Sequence, residues 1–205
     1  TLEMILTRLK TGYVGKKPQI IALSATISNS SELAEWLGCK LVESEWRPVP
    51  LSEAVYSNHT ITNQDRVESE GNLDKKRETR HSKPAIGLGL DTVEDGDQSL
   101  IFTMTRASSV AAATEAGKFV AEQLKKDELE KLLKISKTIL PKETEDQTKL
   151  VKKLADAVKN GAAFHHAGLD QRCRTIIETE FKNGHIKLLT STPTLAAGVN
   201  LPARR

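Results

Sequence analysis

The residues best suited to chemistry are concentrated in one segment, residues 190–200. An apolar run at 186–189 ends there and is followed by three threonines, a serine, Gly198 and Asn200. Hydroxyl and backbone N–H groups of this kind hold nucleic-acid phosphates without reading the bases. Threonines and a glycine also satisfy the backbone of an ordinary loop. The residue types alone therefore leave two equal interpretations, a phosphate-contacting loop and a capped strand end.

Arg106 and a pair of hydroxyls occupy similar positions earlier in the chain. Arg106 follows the apolar run 99–104 and precedes a helical pattern, so its guanidinium could reach a phosphate through two hydrogen bonds. Ser24 and Thr26 follow another apolar run and could bond a phosphate, a water molecule or a neighbouring carboxylate. A solvated arginine and hydroxyls that only satisfy the backbone are the more common outcomes.

The adjacent histidines His165 and His166 raise the question of a metal site. No carboxylate or cysteine stands at a spacing that completes a ligand set, and neighbouring residues of a strand point to opposite faces. We therefore expect no metal site. Cys39 and Cys173 are isolated, which excludes a disulfide scaffold and favours a reducing, intracellular setting.

Composition bounds the class of protein. The 205 residues are 38% hydrophobic, which is enough for a genuine core. A formal charge of +3 is compatible with a polyanionic partner but is too small to demonstrate one. No apolar run approaches the about 18 residues that cross a bilayer. The sequence therefore predicts a globular protein of the cytoplasm with no membrane partner.

The elements that must position the candidate residues follow from the hydrophobic periodicity. The predicted strands are 19–23, 41–42, 51–56, 99–104, 162–164 and 186–189. The predicted helices lie near 2–9, 30–37, 83–93, 110–137 (one long helix or two shorter ones), 150–158 and 171–181. Their alternation predicts an α/β fold, with a parallel sheet flanked by helices. Because ligands bind such sheets at the carboxyl ends of the strands, the candidate loops are 24–28, 105–109, 165–170 and 190–200.

Two breaks in this pattern predict the domain organisation. Prolines in residues 43–50 predict a stiff linker at 46–50 between a first domain, 1–45, and a second domain, 51–205. Residues 57–83 mix charged and small polar residues without a period, which predicts a polar surface excursion, either ordered or partly disordered. The chain starts inside a helical pattern and stops directly after its richest segment, so we expect a fragment of a longer protein.

Three segments resemble helicase motifs, and their order and spacing agree with superfamily 2 helicases. Residues 20–27 resemble motif III, residues 100–106 motif IV and residues 190–203 motif V. The sequence Phe-His-His-Ala-Gly-Leu at 164–169, together with 192–205, is similar to the archaeal superkiller-like DNA repair helicases, which are relatives of the helicase part of polymerase theta. The resemblance covers nearly the whole chain outside 57–83.

The resemblance implies two RecA-like domains, with ATP in the cleft between them and single-stranded nucleic acid across their tops. Residues 1–45 would be the C-terminal part of the first domain and 51–205 most of the second. Ser24 and Thr26 would couple the nucleotide state to domain closure, with no chemistry of their own. Gly198 and Asn200 would approach the nucleotide. The residues near strand phosphates would be Arg106, Thr190, Thr192 and Thr194.

The departures from the family pattern concern ATP hydrolysis. The sequence has no G-x-x-x-x-G-K-[ST] phosphate loop and no Asp-Glu box, and the arginine-rich motif VI would follow Arg205. We therefore expect ATP and Mg²⁺ to serve the whole protein, and this chain alone to be inactive.

The function that the resemblance implies is an ATP-dependent DNA helicase that translocates 3′ to 5′ and opens forked or single-stranded DNA in replication repair. Such a protein would act as a monomer associated with the nucleoid. Two alternatives stay open. One is an RNA helicase of the same superfamily, because phosphate contacts hardly distinguish DNA from RNA. The other is a non-catalytic α/β interaction module.

Overall fold

The computed structural model describes residues 2–13, 15, 18–24, 27–44, 46, 51–57, 60–63, 68–70, 83–140, 149–195, 201 and 203. The chain divides into two compact units, Thr1–Glu53 and Ala54–Arg205. Apart from Trp46, the predicted linker at 46–50 lies outside the described residues, so the domain boundaries stay a prediction. None of the described helices is both long enough and apolar enough to span a membrane.

The first unit contains two helices, α1 (Leu2–Thr11) and α2 (Ser30–Leu37), as the periodicity predicted. The strand predicted at 19–23 is wrong, because these residues form no strand and the side chains of Ile21 and Leu23 are 76% and 93% exposed. A fully buried parallel strand needs paired neighbours and cover on both faces. No described residue of this unit pairs with the segment. The weak strand predicted at 41–42 is absent for the same reason.

The second unit begins with a small antiparallel sheet that contains β1 (Ala54–Ser57), β2 (Thr60–Asn63) and β3 (Glu68–Glu70) in that order. Strands β2 and β3 lie inside the predicted excursion 57–83, where no strand was predicted. In β2 the β-branched residues Thr60, Ile61 and Thr62 favour an extended chain, and antiparallel neighbours supply the pairing. The rest of the predicted excursion lies outside the described residues, apart from Ser57 and Lys83.

The larger sheet of this unit is parallel, with β4 (Ser99–Phe102), β6 (Leu188–Ser191) and β5 (Ala162–His165) in the order β4-β6-β5. This sheet is flanked by helices, which confirms the predicted α/β fold class. The helices are α3 (Pro84–Glu94), α4 (Arg106–Gln123), α5 (Lys126–Ile139), α6 (Lys149–Val158) and α7 (Gln171–Lys182), and a short 3₁₀ helix spans Pro193–Leu195.

Two apolar cores hold these elements together. The larger core joins the sheet to helices α5, α6 and α7 and includes Phe164, Phe181 and Leu189, none of which is exposed. The second core lies where α3 and α4 pack on the sheet and includes Ile86 and Leu188. Residues on both faces of β5 and β6 are thereby buried, as expected for parallel strands covered by helices on both sides.

The register of the sheet brings the ends of its three strands to one edge. Phe102, Ser191 and His165 are level with one another across β4, β6 and β5. The backbone N–H of Thr103 donates to the carbonyl of Ser191 at 2.7 Å, and the N–H of Thr192 donates to the carbonyl of His165 at 3.3 Å. The loops that follow the three strands therefore start side by side at this carboxyl edge.

Candidate nucleic-acid interface

Arg106 lies at the carboxyl edge as the first residue of α4, and its side chain is exposed. The preceding residue, Thr105, caps the helix: its hydroxyl accepts from the backbone N–H of Ser108 at 3.1 Å, and its own N–H donates to the Ser108 hydroxyl at 3.1 Å. The N-terminus of a helix carries a partial positive charge. The guanidinium and the helix end therefore add to the same positive potential.

A tight loop at 166–170 lies against Arg106. The Nδ1 atom of His166 accepts a hydrogen bond from the backbone N–H of Gly168 at 3.0 Å, and the His166 ring stacks on Phe164 with 5.6 Å between ring centroids. A Cβ atom on residue 168 would lie 3.0 Å from that Nδ1 and 3.7 Å from a terminal nitrogen of Arg106. Glycine at this position therefore lets the loop, the imidazole and the guanidinium come together.

His166 contributes shape to this edge rather than charge. Burial lowers the pKa of its imidazole, and the charges of Arg106 and His165 lower that pKa further. The ring is 3% exposed and accepts at Nδ1, so its neutral form carries the proton on Nε2. That Nε2 is buried without a hydrogen-bond partner.

His165 is engaged inside the unit. Its Nε2 lies 3.0 Å from a carboxylate oxygen of Glu178 in α7, and its backbone carbonyl accepts from the N–H of Thr192 and from the hydroxyl of Ser191. The two histidines thus have different partners and share no ligand geometry. Among the described residues there is no group of three or more histidine, cysteine or acidic side chains that could hold a metal ion.

Thr190 is placed in the interior, beneath the carboxyl edge. Its side chain has no exposed surface, and its hydroxyl donates to the carbonyl of Ser109 in α4 at 2.8 Å and lies 3.2 Å from the Ser109 hydroxyl. A phosphate could reach this hydroxyl only if α4 moved away from β6. In this structure the hydroxyl holds α4, and therefore Arg106, against the central strand.

Thr192 stands at the edge itself, as the first residue after β6, and its N–H donates to the carbonyl of His165 at the end of β5. It is 9% exposed, and its carbonyl accepts from the N–H of Leu195 at 3.1 Å, which closes the 3₁₀ turn. Thr194 lies within that turn, and its side chain is outside the described part of the structure. The structure therefore brings Arg106, the loop at 166–170 and Thr192 to one edge.

The remaining predicted site residues are not joined to this edge by the described structure. Ser24 lies in the first unit and is exposed. Thr26, Gly198 and Asn200 are outside the described residues. Their predicted roles stay predictions.

Two supporting residues were missed by sequence reasoning. Ser109 was noted only as part of a loop, yet it occupies a buried helical position in line with Ala112, Ala113 and Ala116. A hydroxyl among alanines at helical spacing is a signal that could have indicated an internal hydrogen bond. Glu178 carries no comparable signal, because a glutamate on an amphipathic helix is usually solvated.

The described part of this edge is suited to binding an anion and offers no activated nucleophile. Cys173, the cysteine nearest in sequence, is fully buried in α7. Burial raises the pKa of its thiol to about 11, and the neighbouring Asp170 raises it as well. The thiol is therefore protonated at neutral pH and inert. Asp170 caps α7 by accepting from the N–H of Cys173 at 2.7 Å.

Comparisons with known proteins agree with the motifs. The helicase conserved C-terminal domain family matches residues 124–205. The chain is 40% identical to the ATP-dependent DNA helicase Hel308 of Methanocella arvoryzae over 207 aligned residues, and 41% identical to that of Pyrobaculum calidifontis over 214. Both alignments cover 100% of this chain, with 26% of the first relative and 27% of the second. The Thermococcus kodakarensis protein of the same name is 42% identical over 95% of the chain and 16% of its own length.

These matches confirm the predicted resemblance to archaeal superfamily 2 DNA helicases. The alignments with the Methanocella and Pyrobaculum proteins extend over the whole chain, including the first unit, whose predicted strand is not formed. The chain spans about a quarter of the length of the first two relatives.

Proposed function

Because residues 124–205 match the helicase conserved C-terminal domain family and the whole chain is 40–41% identical to two archaeal Hel308 helicases, we propose that it is the strand-tracking part of an ATP-dependent DNA helicase. The whole protein would move 3′ to 5′ along single-stranded DNA and open forks during replication repair. It would do so as a monomer associated with nucleoid DNA.

The observation that supports this proposal best is the position of Arg106. An exposed guanidinium stands at the capped N-terminus of α4, on the edge where three parallel strands end. Phosphates of a single strand fit such a site, because backbone N–H groups and a guanidinium both donate to phosphate oxygens. None of these donors reads a base, so binding is expected to be indifferent to sequence.

The roles of the neighbouring threonines differ in this proposal. Thr192, at the edge, and Thr194, in the 3₁₀ turn, contact phosphates next to Arg106, as the resemblance implies. Thr190 contributes indirectly, because its buried hydroxyl fixes α4 to β6. Gly198 and Asn200 remain the proposed nucleotide contacts, and Ser24 and Thr26 the proposed coupling residues.

ATP and Mg²⁺ are proposed cofactors of the whole protein. The described residues alone do not form a site for them, since they include no cluster of three potential metal ligands and the sequence contains no phosphate loop. This chain is therefore expected not to hydrolyse ATP by itself.

The proposal is tested by the salt dependence of single-stranded DNA binding to this chain. Each neutralised phosphate contributes a slope of about −0.7 to the logarithm of affinity against the logarithm of salt concentration for single strands. Arg106→Ala should weaken binding and reduce the slope by about 0.7. The matched control is Lys118→Ala, an exposed cation on the same helix far from its N-terminus, which should leave the slope unchanged.

Two outcomes would count against the proposal. If the chain showed no salt-dependent association with single-stranded DNA even at low ionic strength, an autonomous strand-tracking role would be rejected. If Arg106→Ala and Lys118→Ala changed the slope equally, the binding would be a general effect of positive charge, and the carboxyl edge would lose its assigned role.

A further inference from the structure

Two large apolar side chains are exposed at the end of β4. Phe102 is 49% exposed and Met104 is 91% exposed. The preceding residues of the strand behave differently, since Leu100 packs against the larger core and Ile101 against the second core. Phe102 and Met104 contribute to neither core. The exposed pair therefore begins where the strand reaches the carboxyl edge.

The backbone between these two side chains is fixed. Thr103 donates to the Ser191 carbonyl through its N–H at 2.7 Å and through its hydroxyl at 3.3 Å. On the other side of Met104, Thr105 is held in the cap of α4. These hydrogen bonds fix the backbone that carries both side chains. The position of Phe102 and Met104 at the carboxyl edge is therefore a property of the fold.

Position and spacing distinguish this pair from scattered apolar residues, which are normal on protein surfaces. Phe102, Met104 and Arg106 occupy every second position, and all three are exposed at the edge proposed to hold a strand. An aromatic face stacks on nucleobases of any type, and a thioether makes favourable contacts with aromatic rings. The guanidinium beside them is suited to the phosphate of the same nucleotide chain.

We propose that Phe102 and Met104 form a base-stacking platform beside the phosphate contact of Arg106. The partner is a single-stranded nucleic acid whose bases lie on the platform while its backbone follows the carboxyl edge. The proposal rests on the proposed function, to which it adds a contact with bases rather than phosphates. The competing occupant is an apolar surface of another polypeptide, which would not require the flat face of an aromatic ring.

The test compares two DNA strands of equal length and charge, oligodeoxythymidine and a strand with abasic sites in place of the bases. The 205-residue chain should bind the base-containing strand about tenfold more tightly. In Phe102→Leu, which keeps the apolar side chain but removes the aromatic face, this ratio should fall toward one, and the salt slope should not change. Met104→Ala should lower the ratio by a smaller factor. Leu133→Ala is the matched control, because Leu133 is 46% exposed on α5, away from β4.

The outcomes separate the platform from the phosphate contacts. A ratio that stays at its original value in a Phe102→Leu, Met104→Ala double variant overturns the platform, even when binding still depends on salt and on Arg106. A ratio of one in the unmodified chain overturns it as well. If the unmodified chain showed no salt-dependent binding at all, the proposed function would be rejected instead. Circular dichroism spectra and thermal unfolding of each variant that match those of the unmodified chain exclude a folding defect as the cause of a lower affinity ratio.

Discussion

At the scale of single residues, polar side chains at the carboxyl edge divide into those that face solvent and those that shape the edge from within. Arg106 belongs to the first group. Thr190, His165 and His166 belong to the second, since each is more than nine-tenths buried and has a partner inside the unit. Among these four residues, the division separates the one that can touch a ligand from the three that shape the edge.

The burial of His166 makes the stability of the chain depend on pH. Its pKa is lowered in the folded chain, chiefly by burial. The unfolded chain therefore binds more protons than the folded chain once the pH falls below about 6.5. Protonation would also remove the acceptor at Nδ1 that holds the N–H of Gly168. The stabilising contribution of His166 is therefore complete above about pH 6.5 and is lost as the pH falls toward the folded pKa.

We predict that the advantage of the unmodified chain over His166→Gln in free energy of unfolding shrinks as the pH falls from 7.5 to about 5. The loss cannot exceed about 1.4 kcal/mol for each unit of pH, because a single proton is involved. Urea denaturation of both proteins at several pH values measures the difference, and other titrating groups cancel between the two. A difference that does not vary with pH would show that the imidazole is not held neutral by the fold.

At the scale of elements, the connections between helices and strands are as constrained as the edge itself. Gly161 joins α6 to β5 with φ at +81°, and its carbonyl accepts from the N–H of Lys187, just before β6. A Cβ atom there would lie 2.7 Å from Leu124 and 2.8 Å from Val120. Gly184, between α7 and β6, also has positive φ, at +76°, but a Cβ there would meet nothing within 4 Å.

We predict that Gly161→Ala destabilises the chain by about 2–4 kcal/mol, the sum of backbone strain at positive φ and overpacking against the core. Gly184→Ala is the matched control and should cost only the strain, about 1–2 kcal/mol. Urea denaturation followed by circular dichroism gives both values. Equal losses in the two variants would mean that the turn relaxes away from Val120 and Leu124, and that its tight packing does not contribute to stability.

The elements of the second unit were largely predictable from the sequence, because their periodicity and caps are strong. Helices α3 to α7 lie where apolar residues recur three and four apart, and α7 begins directly after its cap, Asp170. Strand β6 was predicted two residues too early, since Thr190 and Ser191 look like loop residues until their hydroxyls are seen to be satisfied internally. Burial of a hydroxyl depends on the neighbouring helix, which a local pattern does not contain.

The wrongly predicted and the missed strands have one cause, since the pairing of strands depends on residues outside the local pattern. The run at 19–23 reads as a buried strand, but an apolar run only becomes a strand when neighbours are available to hydrogen-bond with it. Conversely, β2 and β3 carry few apolar residues and are held by antiparallel pairing that no local period reveals. In the candidate site, the position of Arg106 at the carboxyl edge could be predicted, because Arg106 comes directly after an apolar run. The inward direction of the Thr190 side chain could not, because it depends on the neighbouring helix α4.

At the scale of the whole molecule, the two units differ in how much apolar surface they bury. Among the described residues of Thr1–Glu53, Ala34 is the one buried hydrophobic residue, and the apolar side chains of Leu2 and Ile5 in α1 are more than half exposed. The second unit contains both apolar cores. Since burial of apolar surface is the dominant favourable term in folding, the first unit should be much the less stable of the two.

The distribution of tryptophan makes this difference testable, because Trp36 and Trp46, the two tryptophans of the chain, are both in the first unit. We predict that tryptophan fluorescence changes at lower urea concentration, and over a broader range, than circular dichroism at 222 nm, which is dominated by helices α3 to α7. Non-coincident transitions are the signature of unfolding in more than one step. The control is Phe119→Trp in a Trp36→Phe, Trp46→Phe background, whose fluorescence should follow the circular dichroism because residue 119 lies in α4. Coincident transitions for all three signals would instead mean that the chain unfolds as one cooperative body, and that the small core of the first unit does not set its stability.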